Sequence, residues 1–129
     1  MTVNIVYESL NLNPINNIPG KSLIPVISPK SFFESRNQSE FILIDVREPE
    51  EFEYTQIAGS ILVPLGELES KIPELYELYS ESKIVLICRS GQRSAFATKL
   101  MREKGFSDVS NLEGGILEYS SYDNSLKRY

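Results

Sequence analysis

The chain has no histidine, no tryptophan and a single cysteine among its 129 residues. Without histidine, its own residues cannot supply Ser-His-Asp or Cys-His catalysis, nor the ligands of most zinc sites. A single cysteine also excludes an internal disulfide framework and a cysteine-rich zinc site. We therefore expect no metal and no cofactor. Any nucleophile in this chain must be activated by something other than an imidazole.

Long apolar runs are also missing. None approaches the roughly 18 residues that a membrane-spanning helix needs. The first twenty residues lack the basic start and apolar core of a secretory signal. We expect a chain that does not associate with membranes and that stays inside the cell, where a lone thiol remains reduced. The cytoplasm and a plastid stroma both fit.

The net charge of −5 is unevenly distributed. This acidity argues against nucleic-acid binding, which depends on neutralising phosphates. Residues 88–104, however, hold five basic residues and one acidic residue, a net +4. A local positive field in an acidic protein indicates an anionic ligand at that place. The alternative interpretation is a solvated helix face.

Short apolar segments alternate with helical patterns from about residue 25 onward. Residues 26–27 form a short apolar segment, and strands are predicted at 41–46, 60–63, 84–87 and 109–112. The helices are predicted at 29–36, 49–52, 66–71, 73–80 and 93–104, with a final short helix that ends at residue 119. The unbroken apolar runs at 41–44 and 84–87 are typical of strands covered on both faces. The alternation predicts an α/β domain with a mostly parallel sheet at 23–129, preceded by a loosely attached extension at 1–22.

Cys88 follows the strand at 84–87, at the edge where such sheets place their ligand sites. The backbone N–H groups of residues 89–93 can form an anion-binding nest, and the next helix points its positive end at the same place. Arg89 and Arg93 add two cations, so every feature favours the thiolate. Gly91 suits a sharp turn. A buried cysteine that only fills space is the alternative, which the polar turn with two arginines disfavours.

The segment from Cys88 to Ser94 resembles the active-site loop of the rhodanese-like sulfurtransferases. Residues 43–52 are similar to the N-terminal signature of that family, residues 56–61 to its next conserved segment and residues 111–116 to its C-terminal signature. The resemblance covers about 25–122 in the expected order. The motifs together are specific, whereas Cys-x4-Arg alone would be weak. Gln56 departs from the usual histidine, and Tyr119 stands where tryptophan is frequent.

This resemblance implies a rhodanese-like fold with a five-stranded, mainly parallel sheet flanked by helices on both faces. It implies that the Cys88 thiolate takes sulfane sulfur from a small anionic donor such as thiosulfate and becomes a persulfide. An external acceptor, a thiol or a ubiquitin-like sulfur-carrier protein, would then remove the sulfur. The implied substrate-binding residues are those of the loop: Arg89, Ser90, Gly91, Gln92 and Arg93.

Asp45 and Arg47 lie at the end of the predicted strand 41–46, on the same face because side chains alternate. We interpret them as a paired group that supports the loops near the site. A direct catalytic role is the lesser alternative. The glutamates of residues 48–53, Glu51 among them, are interpreted as a solvated face.

Two other functions remain open. A phosphatase or arsenate reductase of the same fold also uses a cysteine and a loop arginine, but a Cys-x5-Arg phosphatase loop has seven residues. The loop from Cys88 to Arg93 has six, which suits a single sulfur atom. A non-catalytic rhodanese-like binding module is the third alternative. The presence of the cysteine with both arginines disfavours it.

Overall fold

The computed structural model describes residues 24–128. The strands are β1 (Val26–Ile27), β2 (Phe41–Asp45), β3 (Ile61–Leu62), β4 (Lys83–Ile87) and β5 (Asp108–Leu112). The helices are α1 (Pro29–Ser35), α2 (Pro49–Tyr54), α3 (Leu65–Tyr79), α4 (Gln92–Glu103) and α5 (Gly115–Tyr119). The extension predicted at residues 1–22 lies outside the described residues.

All strand pairs of the sheet are parallel, in the order β1-β5-β4-β2-β3. Strand β4 is central, and its Ile87 lies beside Asp45 of β2. Because parallel strands end at the same edge, the segments that follow β2, β4 and β5 meet there. The structure confirms the predicted five-stranded sheet and brings three distant segments of the chain to one edge.

The central strand contributes side chains to hydrophobic clusters on both faces of the sheet. Ile84 and Leu86 belong to a cluster that includes residues of α3 and α4. Val85 and Ile87 belong to a second cluster, with residues of α1 and α5. This two-sided burial explains the unbroken apolar run of β4 and confirms the prediction of helices on both faces.

Helix α3 contradicts the prediction of two helices at 66–71 and 73–80, because it is a single helix that contains Pro73. A proline in a helix removes one hydrogen-bond donor and costs about 3 kcal/mol. Leu68, Ile72 and Leu75 are spaced along one face of the helix and are buried in the same cluster. Each such burial contributes about 1.5–3 kcal/mol, which together exceed the cost of the proline. Among the described residues, no helix is long and apolar enough to cross a membrane.

Candidate active site

Cys88 directly follows β4, at the edge where β2 and β5 also end. The residue is 1% exposed. Its carbonyl oxygen accepts a hydrogen bond from the backbone N–H of Ile116 in α5 (3.0 Å). The cysteine therefore lies between the start of α4, which follows it in the chain, and the start of α5, to which its carbonyl is hydrogen-bonded.

The sulfur of Cys88 is surrounded by hydrogen-bond donors. The backbone N–H of Gly91 donates to Sγ at 3.0 Å, and that of Ser94 donates at 3.4 Å. The hydroxyl of Ser94 lies 3.2 Å from Sγ. Gly91 has φ +98°, a left-handed conformation that glycine adopts without strain. Backbone donors that converge on one atom in this way form a nest of the kind that binds anions.

Ser94 and Asn111 form a buried network behind the sulfur, which the sequence analysis missed. The Ser94 hydroxyl lies 2.5 Å from Oδ1 of Asn111, whose Nδ2 donates to the Gly91 carbonyl (3.0 Å). A hydroxyl carries one proton, so Ser94 donates to Sγ or to Asn111 but not to both at once. The two backbone N–H groups are therefore the constant donors to the sulfur, and the hydroxyl is a third that can turn toward it. Asn111 fixes both the hydroxyl and the turn at Gly91.

Helix α5 packs against the backbone of the loop. A Cβ atom placed on Gly115 (φ +61°) would come within 2.3 Å of the Arg89 carbonyl oxygen and 2.6 Å of the Cys88 carbonyl oxygen. The N–H of Leu117 donates to the Arg89 carbonyl at 3.0 Å. Only glycine permits this close approach. Two loop carbonyls are thereby fixed against α5.

Arg93 is bound to Glu51 of α2. The guanidinium nitrogens lie 2.7 and 2.9 Å from the two carboxylate oxygens. The hydrogen bond from Arg93 is the largest cause that lowers the pKa of Glu51 from 4.5 to about 2. The interpretation of Glu51 as part of a solvated face is therefore wrong. The reason lies in the strand order: β2 is adjacent to β4, so the helix that follows β2 lies beside the cysteine loop.

Asp45 and Arg47 form a fully buried ion pair (2.8 Å). The guanidinium of Arg47 also donates to the backbone carbonyls of Glu51 (3.2 Å) and Thr55 (2.6 Å). Arg47 thus connects the end of β2 to the middle of α2 and to the residue that follows its C-terminal end. Through α2, the pair fixes the segment that carries Glu51.

A family model of the rhodanese-like domain matches residues 28–122, which include the whole cysteine loop. This chain belongs to the rhodanese-like domain family.

The relatives of this rhodanese-like chain are named for different activities. An adenylyltransferase and sulfurtransferase of Zea mays, MOCS3-2, is 38% identical over 121 residues, which cover 85% of this chain and 25% of that protein. A tRNA uridine(34) hydroxylase of Bacillus cytotoxicus is 37% identical over 113 residues, covering 84% and 33%. The chain spans about half of one further curated relative and about a quarter of two others. Membership of the family therefore does not by itself assign an activity.

The fold also matches solved rhodanese-like structures. The human single-domain sulfurtransferase TSTD1 superposes with a TM-score of 0.65 at 27% identity, covering 77% of this chain and 96% of that one. A rhodanese-related protein of Thermoplasma volcanium gives 0.63 at 28% identity, covering 76% and 92%. The described part of the chain thus corresponds to nearly the whole of these two chains.

The predicted loop residues of this rhodanese-like domain lie in two different environments. Arg89, Ser90 and Gln92 are exposed at the rim of the loop, and Gly91 is buried beneath it. Arg93 is partly buried and forms an ion pair with Glu51 of α2. The loop motif contained a signal for Ser94, a hydroxyl in the first turn of the helix after the cysteine. No comparable signal marked Asn111 as a partner.

Proposed function

We propose that this rhodanese-like domain is a sulfurtransferase that carries sulfane sulfur as a persulfide on Cys88. The observation that carries the proposal is the set of donors at Sγ: two backbone N–H groups and the Ser94 hydroxyl. Donors placed in advance stabilise negative charge without reorganising during the reaction. The same donors can serve a thiolate before sulfur is taken up and a persulfide anion afterwards.

The first half-reaction is a displacement at sulfur. The Cys88 thiolate attacks the outer sulfur of a donor such as thiosulfate, and a new S–S bond forms. The S–S bond of the donor breaks, and sulfite leaves with the electron pair. Cys88 then carries one additional sulfur atom. No oxidant or reductant is needed, because the donor supplies the sulfane sulfur and accepts the electrons of the broken bond.

The exposed rim of the loop is the proposed binding site for the anionic part of the donor. Arg89 and Ser90 lie there beside the sulfur in sequence, and Gln92 begins helix α4. A guanidinium and the positive end of a helix both favour an anion at this position. We assign Arg89 to the approach of the donor and to the charge that develops on the leaving group.

The second half-reaction needs an acceptor from outside the chain. Cys88 is the only cysteine, so no second thiol of this chain can resolve its persulfide. A nucleophile such as a small thiol or cyanide attacks the outer sulfur, and the Cys88 thiolate leaves with the electron pair. The maize relative is named an adenylyltransferase and sulfurtransferase, which supports a sulfur-transfer role in general. A ubiquitin-like sulfur-carrier protein is our proposed protein acceptor.

Release of sulfite from thiosulfate in the presence of cyanide tests this proposal. We expect turnover by the wild type and none by Cys88→Ser, which keeps the size of the side chain but not the thiolate. The same samples should be offered an aryl phosphate and arsenate. Cys88-dependent hydrolysis or reduction without sulfur transfer would instead establish the phosphatase or reductase alternative. Absence of every reaction would favour the binding module.

A further inference from the structure

The charge of Arg93 is offset by a carboxylate of the adjacent helix α2. Its guanidinium and the Glu51 carboxylate make two parallel contacts (2.7 and 2.9 Å), the geometry of a bidentate ion pair. The side chains are 35% and 25% exposed, so the pair is partly shielded from bulk solvent. A donor that approaches the loop therefore meets Arg93 as one half of an ion pair and not as an isolated cation.

Glu51 is fixed in this position. Its Oε1 also accepts a hydrogen bond from the backbone N–H of Glu48 (3.0 Å), and its own carbonyl accepts one from Arg47. With its pKa lowered to about 2, the carboxylate is ionised at any pH at which the protein would be assayed. The arginine is always protonated. The pair therefore contributes no net charge to the site under working conditions.

We propose that Glu51 determines the charge of the sulfur donor: by neutralising Arg93, it favours an organic donor with one negative charge on its terminal sulfur over a dianion such as thiosulfate. Persulfides and thiosulfonates are donors of this class. The inference rests on the proposed sulfurtransferase function and specifies its substrate. Glu51 acts here through Arg93, as a specificity residue that need not touch the reacting sulfur.

Two matched donors isolate this effect. Thiosulfate is a dianion, and methanethiosulfonate carries one charge on the same kind of terminal sulfur. In both reactions the Cys88 thiolate attacks that sulfur and the S–S bond of the donor breaks. Sulfite leaves in one case and methanesulfinate in the other, each with the electron pair. The two donors differ mainly in charge. The ratio of KM for thiosulfate to KM for methanethiosulfonate therefore reports the electrostatic field at the loop.

Glu51→Gln removes the negative charge and keeps an oxygen that can accept from Arg93. Removing one negative charge close to a dianion in a partly exposed site changes its affinity about three- to tenfold. We expect KM for thiosulfate to fall by that factor and KM for methanethiosulfonate to fall about two- to threefold, because the interaction scales with the donor charge. Adding Arg93→Gln to Glu51→Gln should abolish both gains.

Glu50→Gln is the matched control, since Glu50 is an exposed residue of the same helix and its substitution changes the net charge equally. The ratio of KM for thiosulfate to KM for methanethiosulfonate should be the same in Glu50→Gln as in the wild type. An equal gain in Glu50→Gln would assign the effect to overall charge and overturn the inference. A higher KM for both donors in Glu51→Gln would assign Glu51 to positioning the loop, and would also overturn it. If neither donor loads Cys88 in the wild type or in any variant, the sulfurtransferase function itself is refuted.

Discussion

Gly115→Ala tests whether α5 fixes the cysteine loop. The added Cβ would lie 2.3 Å from the carbonyl oxygen and 2.5 Å from the carbonyl carbon of Arg89, and 2.6 Å from the Cys88 carbonyl oxygen. These neighbours are backbone atoms, so no side chain can rotate away. Either the loop or α5 must move, and the hydrogen bonds that join them must lengthen.

The magnitude follows from two costs. A left-handed conformation costs alanine about 1–2 kcal/mol, and loss of glycine from the unfolded chain offsets about 0.4–1 kcal/mol of it. Overpacking adds about 1–3 kcal/mol. We therefore expect Gly115→Ala to lower the free energy of unfolding by about 2–4 kcal/mol. Gly59→Ala is the matched control, because Gly59 has φ +85° but nothing within 4 Å of the added Cβ. Gly59→Ala should lower the free energy of unfolding by only about 1 kcal/mol.

Urea unfolding followed by circular dichroism measures both losses, and the rate at which thiosulfate loads Cys88 reports the loop. Gly115→Ala should load sulfur more slowly than Gly59→Ala, because its donors to the sulfur are displaced. Equal unfolding free energies and equal loading rates in the two variants would refute the account of α5 as the support of the loop.

Three further variants test other contacts. Ser94→Ala removes one hydrogen-bond donor near the sulfur, worth about 0.5–1.5 kcal/mol. Loading of Cys88 in a stopped-flow assay should slow about three- to tenfold. An unchanged rate would show that the hydroxyl does not assist the reaction. Arg47→Met leaves the buried Asp45 carboxylate unpaired and should cost about 3–5 kcal/mol in urea unfolding; a loss below about 1 kcal/mol would contradict this. The lowered pKa of Glu51 makes its contribution to stability complete above its ordinary pKa of 4.5 and progressively lost as the pH falls toward 2. Glu51→Gln should flatten that part of the stability curve, and an identical acid transition would disprove the assignment.

The central part of the fold could be predicted because its signals are local. The apolar run of β4, the polar turn after it and the helix beyond are contiguous in sequence. Their order alone places Cys88 at the carboxyl edge of the sheet. Pro29 opens α1, and the Ser28 hydroxyl accepts from the Ser31 N–H (3.1 Å), as the N-cap pattern predicts.

Helix α3 shows where local rules fail. Pro73 signals a break because it lacks a backbone donor, and that signal is independent of the rest of the molecule. The residues that hold the helix together, Leu68, Ile72 and Leu75, act through their burial against the sheet. Their helical spacing continues across Pro73, but the spacing alone does not give the free energy of burial that outweighs the local effect of the proline.

The site contacts that were missed connect residues far apart in the chain. Glu51 and Arg93 are 42 residues apart, and Ser94 and Asn111 are 17 apart. Both contacts depend on the order of the strands, with β4 between β2 and β5. Alternation of strands and helices predicts a parallel sheet but not that order. The sequence could therefore identify the cysteine loop but not the side chains that surround it.

The mass of the intact protein after incubation with a sulfane-sulfur donor tests the central claim most directly. After thiosulfate or methanethiosulfonate and removal of excess donor, the wild type should gain the mass of one sulfur atom, which cyanide then removes. Cys88→Ser should gain nothing under the same conditions. A wild-type protein that takes up no sulfur from either donor, or a Cys88→Ser variant that takes up as much, would contradict the account.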